Sequence, residues 1–143
     1  MITHTTTIRV RYADTDKMGI VYNGKYLEYF EVGRTELLRS TGLPYSELEK
    51  AGYQLPLIQA HVNYKKPALY DDLIDIKAVV TELYSAKVHI DYELTHNGSG
   101  ELIATGFTEH MFINASNKKP VKPPAKYIKA LEPYFNKSVN TAE

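Results

Sequence analysis

The chain contains no cysteine and no tryptophan, carries no net charge and has no long apolar run. Without thiols it has no cysteine nucleophile, no disulfide framework, no zinc–thiolate knuckle and no iron–sulfur cluster. The 17 basic side chains are matched by 17 acidic ones. The basic excess of a dedicated nucleic-acid binder is therefore missing, and no nucleic-acid partner is expected. No apolar stretch approaches the roughly 20 residues that cross a bilayer, so no integral membrane segment is expected. The opening MITHTTTIRV lacks a basic segment followed by an apolar one, so no secretory signal is read there. A soluble, cytoplasmic protein is the expectation. The sequence also lacks G-x-S-x-G, H-E-x-x-H, Walker-type and dinucleotide-binding signatures. The five histidines do not share one helix at metal-ligand spacing, and no metal site is expected.

What remains is 143 residues at 43% apolar content, with 12 tyrosines. That suits one domain with a real core, taken as residues 1–143. The zero charge is a sum of unequal parts. Residues 51–113 hold an acidic excess, and residues 114–143 carry six lysines against two glutamates. A basic tail is ordinarily a solvated terminus, and it can also serve as a foothold for a phosphorylated small ligand.

Ile8, Val10 and Tyr12 alternate with Arg9 and Arg11, as in a half-buried strand that places Tyr12 in the core. From Asn23 the period lengthens. Tyr26, Phe30, Gly33 and Leu37 recur at helical spacing with Leu27 and Leu38 beside them, and Gly42 marks the stop. A glycine inside this helix costs about 1 kcal/mol against alanine, which points to close approach by a neighbouring element. A short second helix is read over residues 46–51.

Four strand-like runs follow: around Ile58–Tyr64, Ile74–Val80, Lys87–Leu94, and Leu102–Asn114, the last apolar enough to be buried on both faces. Asn97-Gly98-Ser99-Gly100 reads as a hairpin loop. Ala125–Glu132 reads as a closing helix stopped by Pro133. One long helix with five strands joined mainly by hairpins is an α+β architecture with an antiparallel sheet. A single helix leaves apolar surface and strand edges uncovered, so at least a homodimer is expected.

The chemistry concentrates in Tyr12-Ala13-Asp14-Thr15-Asp16-Lys17-Met18-Gly19-Ile20-Val21-Tyr22-Asn23. Two aspartates at a strand end commonly make Asx-turns. Here they are followed by a partly apolar loop and the start of the longest helix. Such a loop can desolvate a carboxylate, while the helix start offers unpaired N–H groups with positive dipole character. A base or nucleophile would thus stand beside a ready oxyanion site.

From Tyr12 to Leu38 the sequence resembles the 4-hydroxybenzoyl-CoA thioesterase family of hotdog-fold proteins, including the Tol–Pal-associated type. The pattern is an Asp, then Gly-Ile-Val, then Tyr-Asn residues opening a helix that continues Y-L-E-Y-F-E-V-G-R-T-E-L-L. The similarity extends through Val62-Asn63-Tyr64-Lys65-Lys66-Pro67-Ala68 and Tyr70-Asp71-Asp72-Leu73. The resemblance implies a hotdog fold, a five-stranded sheet wrapped around one helix. It also implies hydrolysis of an acyl-CoA thioester by a homodimer or homotetramer, with no cofactor beyond the coenzyme A of the substrate. By motif position it places the catalytic carboxylate at Asp16 and the carbonyl-polarising N–H at Asn23. Some relatives carry His or Tyr at the latter position, so a histidine-assisted route has no support here. Glu28 and Glu31 lie on the central helix, where other hotdog thioesterases carry an acid, and they also read as ordinary surface glutamates. Lys65, Lys66, Lys118, Lys119 and Lys122 are the basic candidates for the coenzyme phosphates. The alternative is a non-catalytic acyl-CoA or acyl-carrier binding module. A dehydratase, which wants a histidine base, fits least.

Overall fold

A computed structural model describes the backbone of residues 1–142 and the side chains of residues 1–135. The side chains of Lys137 and Glu143, part of the basic tail's charge count, lie outside the described residues. In chain order the elements are β1 (Ile2–Arg9), α1 (Lys25–Ser40), α2 (Tyr45–Lys50), β2 (Tyr53–Gln54), β3 (Leu57–Tyr64), β4 (Leu73–Val80), β5 (Lys87–His96), β6 (Leu102–Met111), β7 (Ile113–Asn114) and α3 (Ala125–Ala142). Five strands form one sheet in the order β1-β4-β5-β6-β3, every neighbouring pair antiparallel. β2 and β7 make a separate two-stranded ribbon.

The sheet wraps one face of α1, the hotdog arrangement that the resemblance implies. Period-2 alternation supplies the sheet's half of the core. Ile74, Ile76, Ala78 and Val80 of β4 and Val88, Ile90, Tyr92 and Leu94 of β5 all point inward and are buried. Tyr26, Tyr29, Phe30, Gly33, Leu37 and Leu38 supply the helix's half, and the Phe30 ring stacks on Tyr92 at 4.2 Å between centroids. Gly33 has the role expected of it. A Cβ there would lie 2.6 Å from Cγ2 of Ile76, so the helix rests on β4 at a distance only glycine permits.

Four expectations need correction. Tyr12 is not core; it is 78% exposed, because Tyr12–Asp14 form a 3-10 turn that breaks the strand alternation. β1 instead begins at Ile2, and pairing with β4 along Ile2↔Val80 to Arg9↔Leu73 carries its threonine-rich half. The last long run breaks at Phe112 into β6 and β7, and Thr105, Phe107 and Glu109 on its outer face are only half-buried. α3 passes through Pro133 rather than ending there. Proline removes one N–H from the ladder and the helix continues on either side.

β3 ends the sheet and is exposed along nearly its whole length on both faces, with Ile58 and Tyr64 about half accessible. An edge strand of this kind presents unpaired backbone groups together with apolar side chains.

Candidate active site

The loop between β1 and α1 folds back on itself. The amide of Asp16 donates to the Ile20 carbonyl and that of Tyr22 to the Asp14 carbonyl, with Thr15 bridged to Val21. Gly19 makes the reversal in the left-handed region at φ 81°, where glycine carries no Cβ penalty. The Val21 amide then donates to the Ala68 carbonyl, fastening the loop to the segment after β3.

This hairpin separates the two aspartates. Asp14 is 3% exposed. Its Oδ2 accepts the Tyr29 hydroxyl at 2.9 Å and the Arg11 amide at 3.1 Å, and its Oδ1 takes an Arg11 guanidinium N–H at 3.2 Å. The Lys25 ammonium stands 3.9 Å from Oδ1. Burial would raise the Asp14 pKa, yet the Arg11 amide, the Tyr29 hydroxyl and the Arg11 charge outweigh it and hold the carboxyl below its ordinary value. Burial and the Asp14 carboxylate together push the Tyr29 phenol well up, so it stays a proton donor. A carboxylate buried to this degree and engaged on both oxygens is a fastening between loop and helix, out of reach of a substrate.

Asp16 is different. It is half-buried, and one oxygen accepts the Met18 amide at 2.8 Å; among the described residues nothing donates to the other. That single bond holds the side chain in an Asx-turn while leaving an oxygen for chemistry. Beyond the loop, α1 begins without a side-chain cap at Gly24. The amides of Lys25 and Tyr26 donate back to the Tyr22 and Asn23 carbonyls, whereas those of Asn23 and Gly24 have no acceptor among the described residues. Asn23 is exposed, and its carbonyl accepts the Tyr64 hydroxyl at 3.1 Å. The helix start therefore leaves polarised N–H groups open in the same loop that presents Asp16.

The lysines fall into two groups at opposite ends of β3. Lys65 and Lys66 follow Tyr64, both amides donating to the Ile103 carbonyl, and the Lys66 ammonium pairs with Glu101 at 2.9 Å. Lys118 reaches Gln54 at 2.9 Å beside the start of β3, with Lys119 and Lys122 exposed nearby in the chain. One chain does not bring the two groups together. Glu28 pairs with Lys25 at 3.1 Å, as a surface glutamate does. Among the described residues no helix is long and apolar enough to cross a membrane.

The order of elements agrees with what the chain matches. The model of the thioesterase-like superfamily fits residues 10–131. The chain belongs to that superfamily. YneP of Bacillus subtilis (strain 168), provisionally named an acyl-CoA thioesterase, is 36% identical over 115 residues, 80% of this chain and 83% of that protein. The acyl-CoA thioesterase YbgC of Haemophilus influenzae is 30% identical over 124 residues, covering 86% and 89% of the two chains. Among solved structures, a DHNA-CoA thioesterase from Staphylococcus aureus superposes with a TM-score of 0.87 at 34% identity, over 99% of this chain and 95% of that one. The chain is accordingly a thioester hydrolase.

Two features of the thioesterase escaped the sequence reading. Tyr64 looked like one more residue of an alternating strand, yet its hydroxyl holds the helix start. Arg34 and His110 were scattered in sequence, and the fold brings both to the wall of one cavity. The 1% exposure of His110 inside a strand is visible only once the strand's inward face is known.

Proposed function

We propose that the thioesterase hydrolyses an acyl-CoA thioester at the loop between β1 and α1, with Asp16 as the catalytic carboxylate. The N–H groups of Asn23 and Gly24 receive the thioester carbonyl oxygen. The observation that carries this reading is the contrast between the two aspartates. Asp14 is buried and accepts three hydrogen bonds across both oxygens, whereas Asp16 keeps an oxygen open in the same loop as undonated helix-start amides. Asp16 either adds to the carbonyl carbon or takes a proton from a water that does so. The carbonyl electron pair moves to oxygen, where the amides stabilise it. Collapse of the tetrahedral adduct breaks the C–S bond and expels the coenzyme thiolate, a good leaving group that needs no strong general acid. With Asp16 as base, the products are the free acid and coenzyme A; after direct attack, water then cleaves the mixed anhydride to the same products. No metal or bound cofactor enters these steps.

The exposed edge of β3 supports a working unit of two chains, either a homodimer or a pair of such dimers. Antiparallel pairing of β3 with a second β3 about a two-fold would extend the sheet and cover the edge. It would also bring Lys118, Lys119 and Lys122 of one chain to the end where Lys65 and Lys66 of the other lie, giving the coenzyme phosphates lysines from both. A cytoplasmic location belongs to the same reading, as the compartment of its substrate.

The test is thiol release from acyl-CoA by the purified chain and by Asp16→Asn. The variant should melt with the parent and lose turnover by at least about a hundredfold, the scale on which an acid–base group contributes. Undiminished turnover in a folded Asp16→Asn protein would overturn the assignment. Saturable acyl-CoA binding without release by the parent would favour the binding-module alternative.

A further inference from the structure

The N–H groups of Asn23 and Gly24 belong to neighbouring peptide units. Each unit is planar and trans, so its N–H and C=O point opposite ways. Whatever holds a unit's carbonyl therefore aims its N–H. The Asn23 N–H shares a unit with the Tyr22 carbonyl, which accepts the Lys25 amide at 2.9 Å. The backbone fixes that donor by itself. The Gly24 N–H shares a unit with the Asn23 carbonyl, and there the backbone does less. The Tyr26 amide reaches that carbonyl only at 3.4 Å. The other partner is the Tyr64 hydroxyl, which donates to it at 3.1 Å.

Tyr64 restrains the helix start from outside it. It is the last residue of β3, in register with Ala104 of β6, and the next two amides both donate to the Ile103 carbonyl. Its ring meets the buried Tyr26 ring edge-on, 5.0 Å between centroids. Tyr26 lies edge-on to Tyr29, 6.1 Å away, whose hydroxyl holds Asp14. The Tyr64 hydroxyl thus comes from the sheet at the end of a packed row of three rings, and the loop it restrains does not set its position. Gly24 needs such a restraint. Glycine has no Cβ to limit its φ and ψ, and no side chain caps the helix here, so the Asn23–Gly24 peptide has little local resistance to rotation. Turned over, that unit would offer an incoming thioester its carbonyl in place of its N–H.

We propose that Tyr64 is a positioning residue for thioester hydrolysis: its hydroxyl holds the Asn23 carbonyl so that the Gly24 N–H faces the reacting carbonyl oxygen. In this role it touches neither substrate nor reacting atoms and acts through the Gly24 amide. The proposal deepens the catalytic reading above and rests on it. An amide aimed in advance stabilises the oxyanion without reorganising, and a misplacement of about 1 Å can cost about 100-fold. The contribution falls on the transition state, so it belongs to kcat rather than to KM. Its share of stability is small, because a half-exposed hydroxyl that loses the carbonyl bonds to water instead.

Tyr64→Phe removes one oxygen and keeps the ring against Tyr26. The variant should melt with the parent, while kcat on an acyl-CoA falls about 10- to 100-fold and KM stays within about threefold. A kcat within about twofold of the parent overturns the proposal, and so does a loss carried by KM alone. A second variant asks whether the hydroxyl acts through Gly24. Gly24 has φ −66°, which proline matches, so Gly24→Pro deletes the N–H without strain in φ. The atoms nearest a Cβ there belong to the exposed Tyr22 ring, which can move aside. In the Gly24→Pro background Tyr64→Phe should change kcat by less than about twofold, since the donor it aims is already gone. Losses that multiply instead mean that Tyr64 acts on the substrate directly, which overturns the positioning role. Infrared spectra of an acyl-CoA, isotope-labelled at the thioester carbon and bound to Asp16→Asn, read the same donor without turnover. Adding Tyr64→Phe should raise the carbonyl frequency toward that of the free thioester, and an unmoved band overturns the proposal. Full turnover by Asp16→Asn would instead remove the catalytic reading beneath it, whatever Tyr64→Phe does.

Discussion

Removing the carboxylate of Asp14 isolates what the buried aspartate does from what Asp16 does. In Asp14→Ala the Tyr29 hydroxyl, buried and 2.9 Å from Oδ2, loses its acceptor, as does the Arg11 amide at 3.1 Å. An unsatisfied buried donor costs about 1–3 kcal/mol. The Arg11 ion pair adds little, since that guanidinium is 72% exposed and screened. The expected loss is therefore about 2–4 kcal/mol, most of it from Tyr29. At about 3–4 °C per kcal/mol for a chain of this size, the melting temperature should fall by roughly 6–16 °C. The assay is thermal melting followed by circular dichroism at fixed chain concentration, with Asp16→Ala alongside. Asp16 gives up one bond to Met18 at an exposed turn, so its variant should stay within about 1 kcal/mol of the parent. The pH dependence has a definite sign. The folded-state pKa of Asp14 is depressed below 3.8, so its contribution is complete above that value and is lost as pH falls through the lower folded one. The gap between the Asp14→Ala and parent melting temperatures should thus narrow in strong acid. Equal stability of the two at neutral pH would refute the reasoning.

Three further outcomes follow from the packing. Gly33→Ala gains about 1 kcal/mol of helix propensity but sets a methyl 2.6 Å from a stiff, fully buried isoleucine. Overpacking of about 1–3 kcal/mol should win, lowering the urea midpoint without changing the slope. Gly106→Ala drives its Cβ into the His61 carbonyl and to 2.7 Å from the Phe30 ring. It should cost about 3 kcal/mol or more and loosen β3 first, read as faster hydrogen exchange along residues 57–64. On the outer sheet face, His89 has Glu109 at 3.0 Å from Nδ1 and Asp91 at 3.0 Å from Nε2, so it bonds both only as the imidazolium. Burial opposes the charge, but the two carboxylates outweigh it and raise the pKa above 6.5. The stabilisation is whole below 6.5 and lost as pH rises through the folded value. The melting advantage of the parent over His89→Gln should shrink along that rise.

How far the sequence could be read depended on how local each signal was. The alternation of β5 and the helical spacing of α1 survive intact, because each element buries one face and shows the other to water. β1 hides its first half because Thr5, Thr6 and Thr7 carry no apolar rhythm; partners in β4 define it. β3 shows the reverse error. Ile58, Ala60, Val62 and Tyr64 alternate as if one face were buried, yet the strand lies at the sheet edge, and position in a sheet is not written in a strand's own residues. The site divides in the same way. The residues alone left Asp14 and Asp16 equivalent, and the motif resemblance pointed to Asp16. The physical distinction needs Tyr29, fifteen positions away and brought up by the packing of α1. The cavity end with Arg34 and His110 depends on contacts between a helix and a strand far apart in the chain, so no window of sequence could have shown it.

The two aspartates also explain why a helix start can be left open without disordering the loop before it. A helix usually satisfies its first amides with a Ser, Thr, Asp or Asn side chain. Here Gly24 stands at that position and supplies none. The constraint comes from elsewhere: the Tyr29 hydroxyl on Asp14, the Tyr22 amide on the Asp14 carbonyl, the Val21 amide on Ala68 and the Tyr64 hydroxyl on the Asn23 carbonyl. These bonds tie the loop to the helix's own second turn, to the segment after β3 and to the edge strand. None of them uses the Asn23 or Gly24 N–H, or the second oxygen of Asp16. A site that must keep donors and a carboxylate oxygen free for a reacting carbonyl cannot hold itself in shape with those same groups. On the proposed reading of Asp16, Asp14 takes over the holding, and that is a physical reason for two aspartates one residue apart.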